Sequence, residues 1–354
     1  MADDFSTDLK KEDIDEIIAQ FGLQFKTCQA YRRVWKVETS EGVKYLKKSK
    51  LSTAEIRFID EAQRFLYHQN FTHLPKLAWS RHHEPFVTFR ENLYILTDWY
   101  LGTELDFRIL MDLKQASRFL AKFHMKSAGF KPSQPIPERT CWLGWPRKLE
   151  ERLKQMRDFQ RLANLEKESS VFSRLYLRNF GPFYQQAVAS FEALLKSSYP
   201  KVAEAASTNL SFCHHDYSGR NILRTYEDQL LLVDFDYCLL DLRIHDLINL
   251  MVRNLKHNGW RLEVSDFILN EYETVSPLTA EELDVMYVLL CWPQDFWQVG
   301  LQYYYEKLPW PKERFIKKLR HKIYYRGSRN RFLYEFSQKH KIESTLEIDT
   351  ISNC

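Results

Sequence analysis

Apolar and polar positions along the first hundred residues change period in a way that names the elements. In "DLKKEDIDEIIAQFG", Leu9, Ile14, Ile17 and Ile18 fall on one side of a helix whose other side is acidic. Two β-rich runs follow in "YRRVWKVETSEGVKYLKK", separated by Ser40-Glu41-Gly42, and predict a hairpin. "LSTAEIRFIDEAQRFLYHQ" opens on Ser and Thr suited to an N-cap and repeats Ile56, Ile59, Phe65 and Leu66 at helical intervals. "PFVTFRENLYILTDWYLG" predicts a second pair of strands, ending at a glycine.

From about Leu105 the pattern becomes mostly helical, with long charged stretches. Four prolines in "KPSQPIPERTCWLGWP" force a loop there. The fold class is therefore α+β, a small antiparallel β-rich part before a large mainly helical one, with the boundary between Trp99 and Leu105. The expected domains are 1–100 with the leading helix, 101–342, and a polar tail at 343–354. No internal repeat or low-complexity tract interrupts this order.

Composition narrows the picture. With 354 residues, 44% hydrophobic and 15% aromatic, the chain can bury a large core and is long for one compact unit. A net charge of +4, from 51 basic and 47 acidic side chains, is too balanced to mark the whole chain as a nucleic-acid or membrane binder. Cys28, Cys141, Cys213, Cys238, Cys291 and Cys354 are far apart and show no zinc spacing, as expected of ordinary thiols in a reducing compartment. The start, "MADDFSTDLKKED", does not read as a signal peptide, and no run approaches the roughly eighteen apolar residues of a membrane span. Cytosolic synthesis is the expectation.

Candidate chemistry sits in "SFCHHDYSGRN" and "LLLVDFDYC". Carboxylates and an amide gathered in space repel one another and lose hydration, so they persist where a cation sits among them. His214, Asp216 and Asn221 have the H-x-D-x-x-x-x-N spacing of a kinase catalytic loop, where the Asp accepts the proton of the attacking hydroxyl and the Asn holds magnesium. A γ-phosphoryl group is already reactive, so positioning and charge neutralisation are most of what a protein must supply. "NILRTYEDQLLLVD" reads as strand, turn and strand, returning Asp234 beside Asn221 in the place of the DFG aspartate. Asp236 replaces the glycine of that motif.

"CHHDYSGRNIL" and "LLLVDFDYCLLDLRIHDLINL" resemble the catalytic segments of the aminoglycoside phosphotransferase and choline kinase-like superfamily. "FLAKFHMKS" is similar to its helix before the catalytic loop, and length, "TCWLGWPRKLEERL" and aromatic C-terminal helices resemble its spore coat branch, the CotS family. The resemblance implies a two-lobed protein kinase-like fold, binding of ATP or another nucleoside triphosphate with Mg2+, and transfer to a small-molecule or saccharide acceptor. It also implies a place in the spore coat after synthesis in the mother cell, beside other coat proteins, with neither membrane nor nucleic acid as partner.

Carried over residue by residue, the resemblance implies Asp216 as the catalytic base and Asn221 and Asp234 as metal ligands. It implies Lys47 for the phosphates, with Lys48 as rival, and Glu61 as its helical partner, with Glu55 second. Backbone groups of Asp98, Trp99 and Tyr100 would meet the adenine. One departure is visible: the first turn, "KTCQAYRR", has no glycine, unlike a G-x-G-x-x-G loop.

Blander readings apply to several of these residues. His214 is expected to brace its loop, and Asp241 and Asp246 to cap or anchor the next helix. Residues 312–341 hold eleven Lys and Arg against two Glu, yet Phe315, Leu319, Ile323 and Phe332 are placed as the core face of an amphipathic helix pair. The aromatic stretch "CWPQDFWQVGLQYYYEKLPWP" is expected to fill the core. Three function classes remain: a small-molecule or saccharide kinase, a kinase-derived structural coat protein with little turnover, and an anion-binding module built on the basic C-terminal helices.

Overall fold

The computed structural model describes residues 9–32 and 34–342, so the tail assigned to 343–354 lies outside the described residues. Its contacts divide the chain into two units. One takes the described residues up to Thr140 plus Leu210–Leu240, the other Cys141–Asn209 plus the described residues from Asp241.

In the first unit, α1 (Lys11–Gln20) buries Ile14, Ile17 and Ile18 completely. Its Asp13 accepts from the Lys10 N–H at 2.9 Å and pairs with Arg90 at 2.7 Å, satisfying a donor the helix start leaves unpaired. Strands β1 (Phe25–Tyr31), β2 (Val34–Thr39), β3 (Gly42–Ser49), β4 (Val87–Phe89) and β5 (Asn92–Asp98) form an antiparallel sheet in the order β1-β2-β3-β5-β4. Val37, Leu46, Tyr94 and Leu96 share one buried core with the α1 isoleucines.

The hairpin expected around Ser40-Glu41-Gly42 is the β2–β3 turn, where Thr39 pairs with Gly42. "KTCQAYRR", expected as a turn, is instead mostly β1, which pairs with β2 as far as Tyr31 opposite Val34. Just past Tyr31, Arg32 takes a φ of 55°. The strand is exposed along most of its length, so no apolar alternation betrays it.

Helix α2 (Thr53–His68) starts at a capping box in which Ser52 Oγ accepts from the Glu55 N–H and Glu55 accepts from the Ser52 N–H. After β6 (Gly102–Glu104) and α3 (Leu110–Ser127), strands β7 (Ile222–Thr225) and β8 (Leu230–Leu232) complete a three-stranded sheet ordered β6-β7-β8.

The second unit is helical: α4 (Trp145–Glu166), α5 (Val171–Lys196), α6 (Tyr199–Thr208), α7 (Ile244–His257), α8 (Leu262–Glu273), α9 (Ala280–Cys291), α10 (Gln294–Gly300), α11 (Lys312–Tyr324) and α12 (Arg326–Lys339). Aromatic stacking fixes its core, with Phe296 lying 4.5 Å from Tyr176 and 4.2 Å from Phe183 between ring centroids. Phe296, Trp297 and Tyr304 are buried, as expected of core filling. Phe315, Leu319 and Phe332 are buried too, while Ile323 is only half-buried. Asp241 accepts from the Trp145 indole N–H at 2.9 Å and from the Leu242 N–H at 2.8 Å, which ties the segment before α7 to the start of α4. Among the described residues, no helix is long and apolar enough to cross a membrane.

Candidate active site

The loop from His214 to Asn221 is held by its own polar groups. The Asp216 N–H donates to His214 Nδ1 at 3.3 Å. A backbone N–H can only donate, so the imidazole proton sits on Nε2, which donates to the Val233 carbonyl at 3.0 Å. His214 is thus a fully buried brace between the two motif segments. The Asn221 amide donates to the Asp216 backbone oxygen at 2.8 Å and to its Oδ2 at 2.9 Å, which orients both side chains.

The β7–β8 pairing sets the second segment beside the first. Ile222 lies opposite Leu232, and the Val233 N–H donates to the Asn221 carbonyl at 2.9 Å. Asp234 therefore leaves the hairpin next to Asn221. Its φ of 64° is left-handed, a region uncommon for residues other than glycine but one that aspartate enters more readily than most. Gly219 fixes the loop from the other side: its carbonyl accepts from the Leu105 N–H at 3.1 Å, and a Cβ there would lie 2.2 Å from the Leu105 carbonyl oxygen. No larger residue fits without moving backbone.

Lys47, largely buried on β3, places its ammonium 2.7 Å from Asp236 Oδ2 and 3.0 Å from Asp234 Oδ1. Burial alone would lower the lysine pKa, but Asp236 and then Asp234 outweigh it and hold the amine above its ordinary value. Lys48 is the next residue of the strand and so projects from the opposite face.

Glu61, expected as the partner of Lys47, does not meet it: both of its carboxylate oxygens are taken by Ser133, through the backbone N–H at 2.8 Å and the hydroxyl. Glu55, the second candidate, pairs with the buried Arg139 at 3.0 Å. Arg139 Nη1 in turn donates to the carbonyls of Asp236 at 2.6 Å and Cys238 at 2.9 Å. The start of α2 is thus tied through one arginine to the stretch that carries Asp236. Arg139 carries no motif; its position in the proline-bounded "IPERT" offered no signal for it.

At Asp98–Tyr100, the Asp98 carboxylate accepts from Lys44 at 2.7 Å, and the Trp99 N–H is already donated to the Val43 carbonyl at 3.0 Å. The Trp99 ring packs edge-on against Tyr31 at 5.1 Å, and Lys36 lies over it. Tyr100 is half-buried, and burial pushes its phenol pKa up.

Within the first unit Asp216 pairs with Asn221, Lys47 pairs with Asp234 and Asp236, and the β7–β8 backbone joins the two clusters, whereas Glu61 stands apart. The donor set suits a hard divalent cation: Asn221 uses its NH2 internally, which leaves its amide oxygen for coordination, and Asp234 and Asp236 supply carboxylate oxygens. Asp236, noted in the sequence only as the replacement of the motif glycine, is the nearer carboxylate to Lys47.

The sequence profile of the family described as "Spore coat putative kinase YutH" matches residues 14–336. Spore coat protein S of Bacillus subtilis (strain 168) is 23% identical over 321 residues, 89% of this chain and 90% of that protein. The crystal structure of an aminoglycoside phosphotransferase from Alicyclobacillus acidocaldarius subsp. acidocaldarius DSM 446 aligns with a TM-score of 0.79 at 19% identity, covering 95% of this chain and 98% of that one. Spectinomycin phosphotransferase APH(9)-Ia, in complex with ADP and spectinomycin, aligns with a TM-score of 0.62 at 12% identity over 94% of this chain and 100% of that one. These likenesses show a kinase-like fold, with an antiparallel β-sheet in its N-terminal part and a mostly helical C-terminal part.

Proposed function

Because the chain belongs to the spore coat kinase-like family, we propose that it is an ATP- and magnesium-dependent phosphotransferase that phosphorylates a hydroxyl of a small molecule or saccharide in the spore coat. The observation that carries this reading is the meeting of Lys47 with Asp234 and Asp236 beside the braced Asp216–Asn221 pair. A purely structural protein gains little from setting two carboxylates, Asp234 and Asp236, on one lysine. The neighbouring phosphotransferase solved with ADP supports a nucleotide as donor.

Magnesium, when bound, would neutralise charge on the nucleotide phosphates and fix their orientation. Asn221 and Asp234 would hold it, with Asp236 beside Asp234 on Lys47. Asp216 would accept the acceptor hydroxyl's proton, its carboxylate aimed by the Asn221 amide and its backbone by His214. Lys47 supplies the positive charge for the phosphates, and Asp98–Tyr100 would border the adenine. One observation favours the second reading, a kinase-fold coat component of little turnover: the Trp99 N–H, a donor expected for the base, is already engaged by Val43.

A screen of hydroxylated metabolites and saccharides for acceptor-dependent ADP release distinguishes the two. The phosphotransferase reading predicts a hit that disappears in Asp216→Asn. ADP release that no acceptor stimulates, or that the variant retains, favours the structural role.

A further inference from the structure

Helix α2 carries three acids, Glu55, Asp60 and Glu61, and each is committed to a partner other than Lys47. Glu55 pairs with Arg139 at 3.0 Å, and Asp60 accepts from Arg64 at 2.9 Å and from the Trp79 indole N–H at 3.1 Å. Glu61 accepts from Ser133. The carboxylates that do meet the lysine, Asp234 and Asp236, come from the segment after β8. Asp234 is the proposed cation ligand, so Asp236 is the acid left to hold the ammonium.

Asp236 is fixed from both sides. Ahead of it, the buried Phe235 ring packs against His214 at 5.1 Å and Phe123 at 6.2 Å between centroids. Behind it stands Arg139, itself buried. Its Nη1 donates to the Asp236 and Cys238 carbonyls at 2.6 and 2.9 Å, and its own carbonyl accepts from the Leu240 N–H at 2.7 Å. Its Nε and Nη2 both face Glu55 Oε1, at 3.2 and 3.0 Å. A planar guanidinium engaged along two edges in this way has a set orientation, and it passes that orientation to the backbone of residues 236–238.

We propose that Asp236 orients Lys47 in place of a glutamate of α2, and that Arg139 is the positioning residue that couples α2 to this pair. The inference rests on the phosphotransferase reading in giving Lys47 the phosphates and Asp234 the cation. The direct link fixes the lysine to the segment that carries the proposed cation ligand. A displacement of α2 reaches the pair through Glu55 and Arg139 rather than through a carboxylate of its own. All of these residues lie within the first unit.

The test is trace acetylation of the full, native chain with acetic anhydride at one fixed pH, without nucleotide or metal, the label on each lysine being read by peptide mass spectrometry. Asp236→Asn should speed labelling of Lys47 by at least about threefold, because an ammonium that loses its nearer carboxylate is freed to react. Lys48, on the opposite face of β3, is the internal standard and should stay constant. Glu61→Gln should leave both rates at the wild-type value. Arg139→Met should also speed Lys47, and Arg139→Lys, which keeps a cation for Glu55, should restore part of the wild-type rate. If Arg139→Met melts early, Glu55→Gln carries that comparison in the same direction. A Lys47 rate unchanged in Asp236→Asn, raised in Glu61→Gln, or raised only together with Lys48 overturns the role of Asp236. A rate unchanged in both Arg139→Met and Glu55→Gln overturns the role of Arg139. The labelling uses neither nucleotide nor turnover, so its failure is separate from a failure of the acceptor screen.

Discussion

Lys47 Nζ lies closer to Asp236, at 2.7 Å, than to Asp234, at 3.0 Å, so the acid that replaces the motif glycine is the stronger partner of the lysine. With both side chains largely buried, the pair falls between an exposed ion pair and a fully buried one. Asp236→Ala should therefore destabilise the protein by about 1–3 kcal/mol. Urea unfolding of wild type and variant measures this, and an unchanged midpoint would show the pair to be energetically idle.

Removing the proposed base, Asp216, would separate catalysis from binding. Asp216→Asn should lower any acceptor-dependent turnover by about 10²–10⁴-fold while retaining nucleotide affinity. Steady-state kinetics together with nucleotide titration check both halves; a parallel loss of affinity would assign Asp216 to binding instead.

Much of this site was legible because it is local. The spacing of His214, Asp216 and Asn221 lies within one loop, and a strand-turn-strand pattern is enough to return Asp234 to it. The β2–β3 hairpin and helices α1 and α2 were legible for the same reason, from apolar period and caps. Glu61 was misplaced because pattern gives the phase of a helix but not which neighbour meets each face; Ser133, 72 residues away, decides that. Arg139 reaches Glu55 and Asp236 over separations of 84 and 97 residues, which no local signal encodes. Likewise, the basic residues at 312–341 read as a solvated face, and only the packing of α7 beside α11 and α12 encloses some of them.

Gly219 makes a steric prediction. Since a Cβ would stand 2.2 Å from the Leu105 carbonyl oxygen, Gly219→Ala should cost about 1–3 kcal/mol and displace the His214–Asn221 loop. Melting temperature and turnover should fall together; a variant as stable and active as wild type would show that the loop has slack.

Glu55 makes a pH prediction. Burial pushes its carboxyl up, but hydrogen bonds from Ser52 and the Arg139 charge outweigh that and hold it below the ordinary range. A depressed folded value stabilises the protein above the unfolded value of roughly 4.3 and is lost as pH falls through the folded one. Between about pH 5 and about pH 3, wild type should therefore lose melting temperature more steeply than Glu55→Gln. Equal slopes would contradict the assignment.

The thiols supply a check on packing. Burial pushes Cys291 to about 12, and burial with the nearby Asp241 charge pushes Cys141 to about 11. Both should resist iodoacetamide in the native protein at roughly pH 8 and react after denaturation, as read by peptide mass spectrometry. Native labelling of either would show its packing to be open.

The central claim is that Asn221 and Asp234 share one divalent cation with a bound nucleotide. Thermal unfolding with and without ATP and magnesium tests it most directly. Wild type should gain melting temperature only when both are present, and Asp234→Ala should lose that gain; an equal gain in the variant, or none in wild type, contradicts the account.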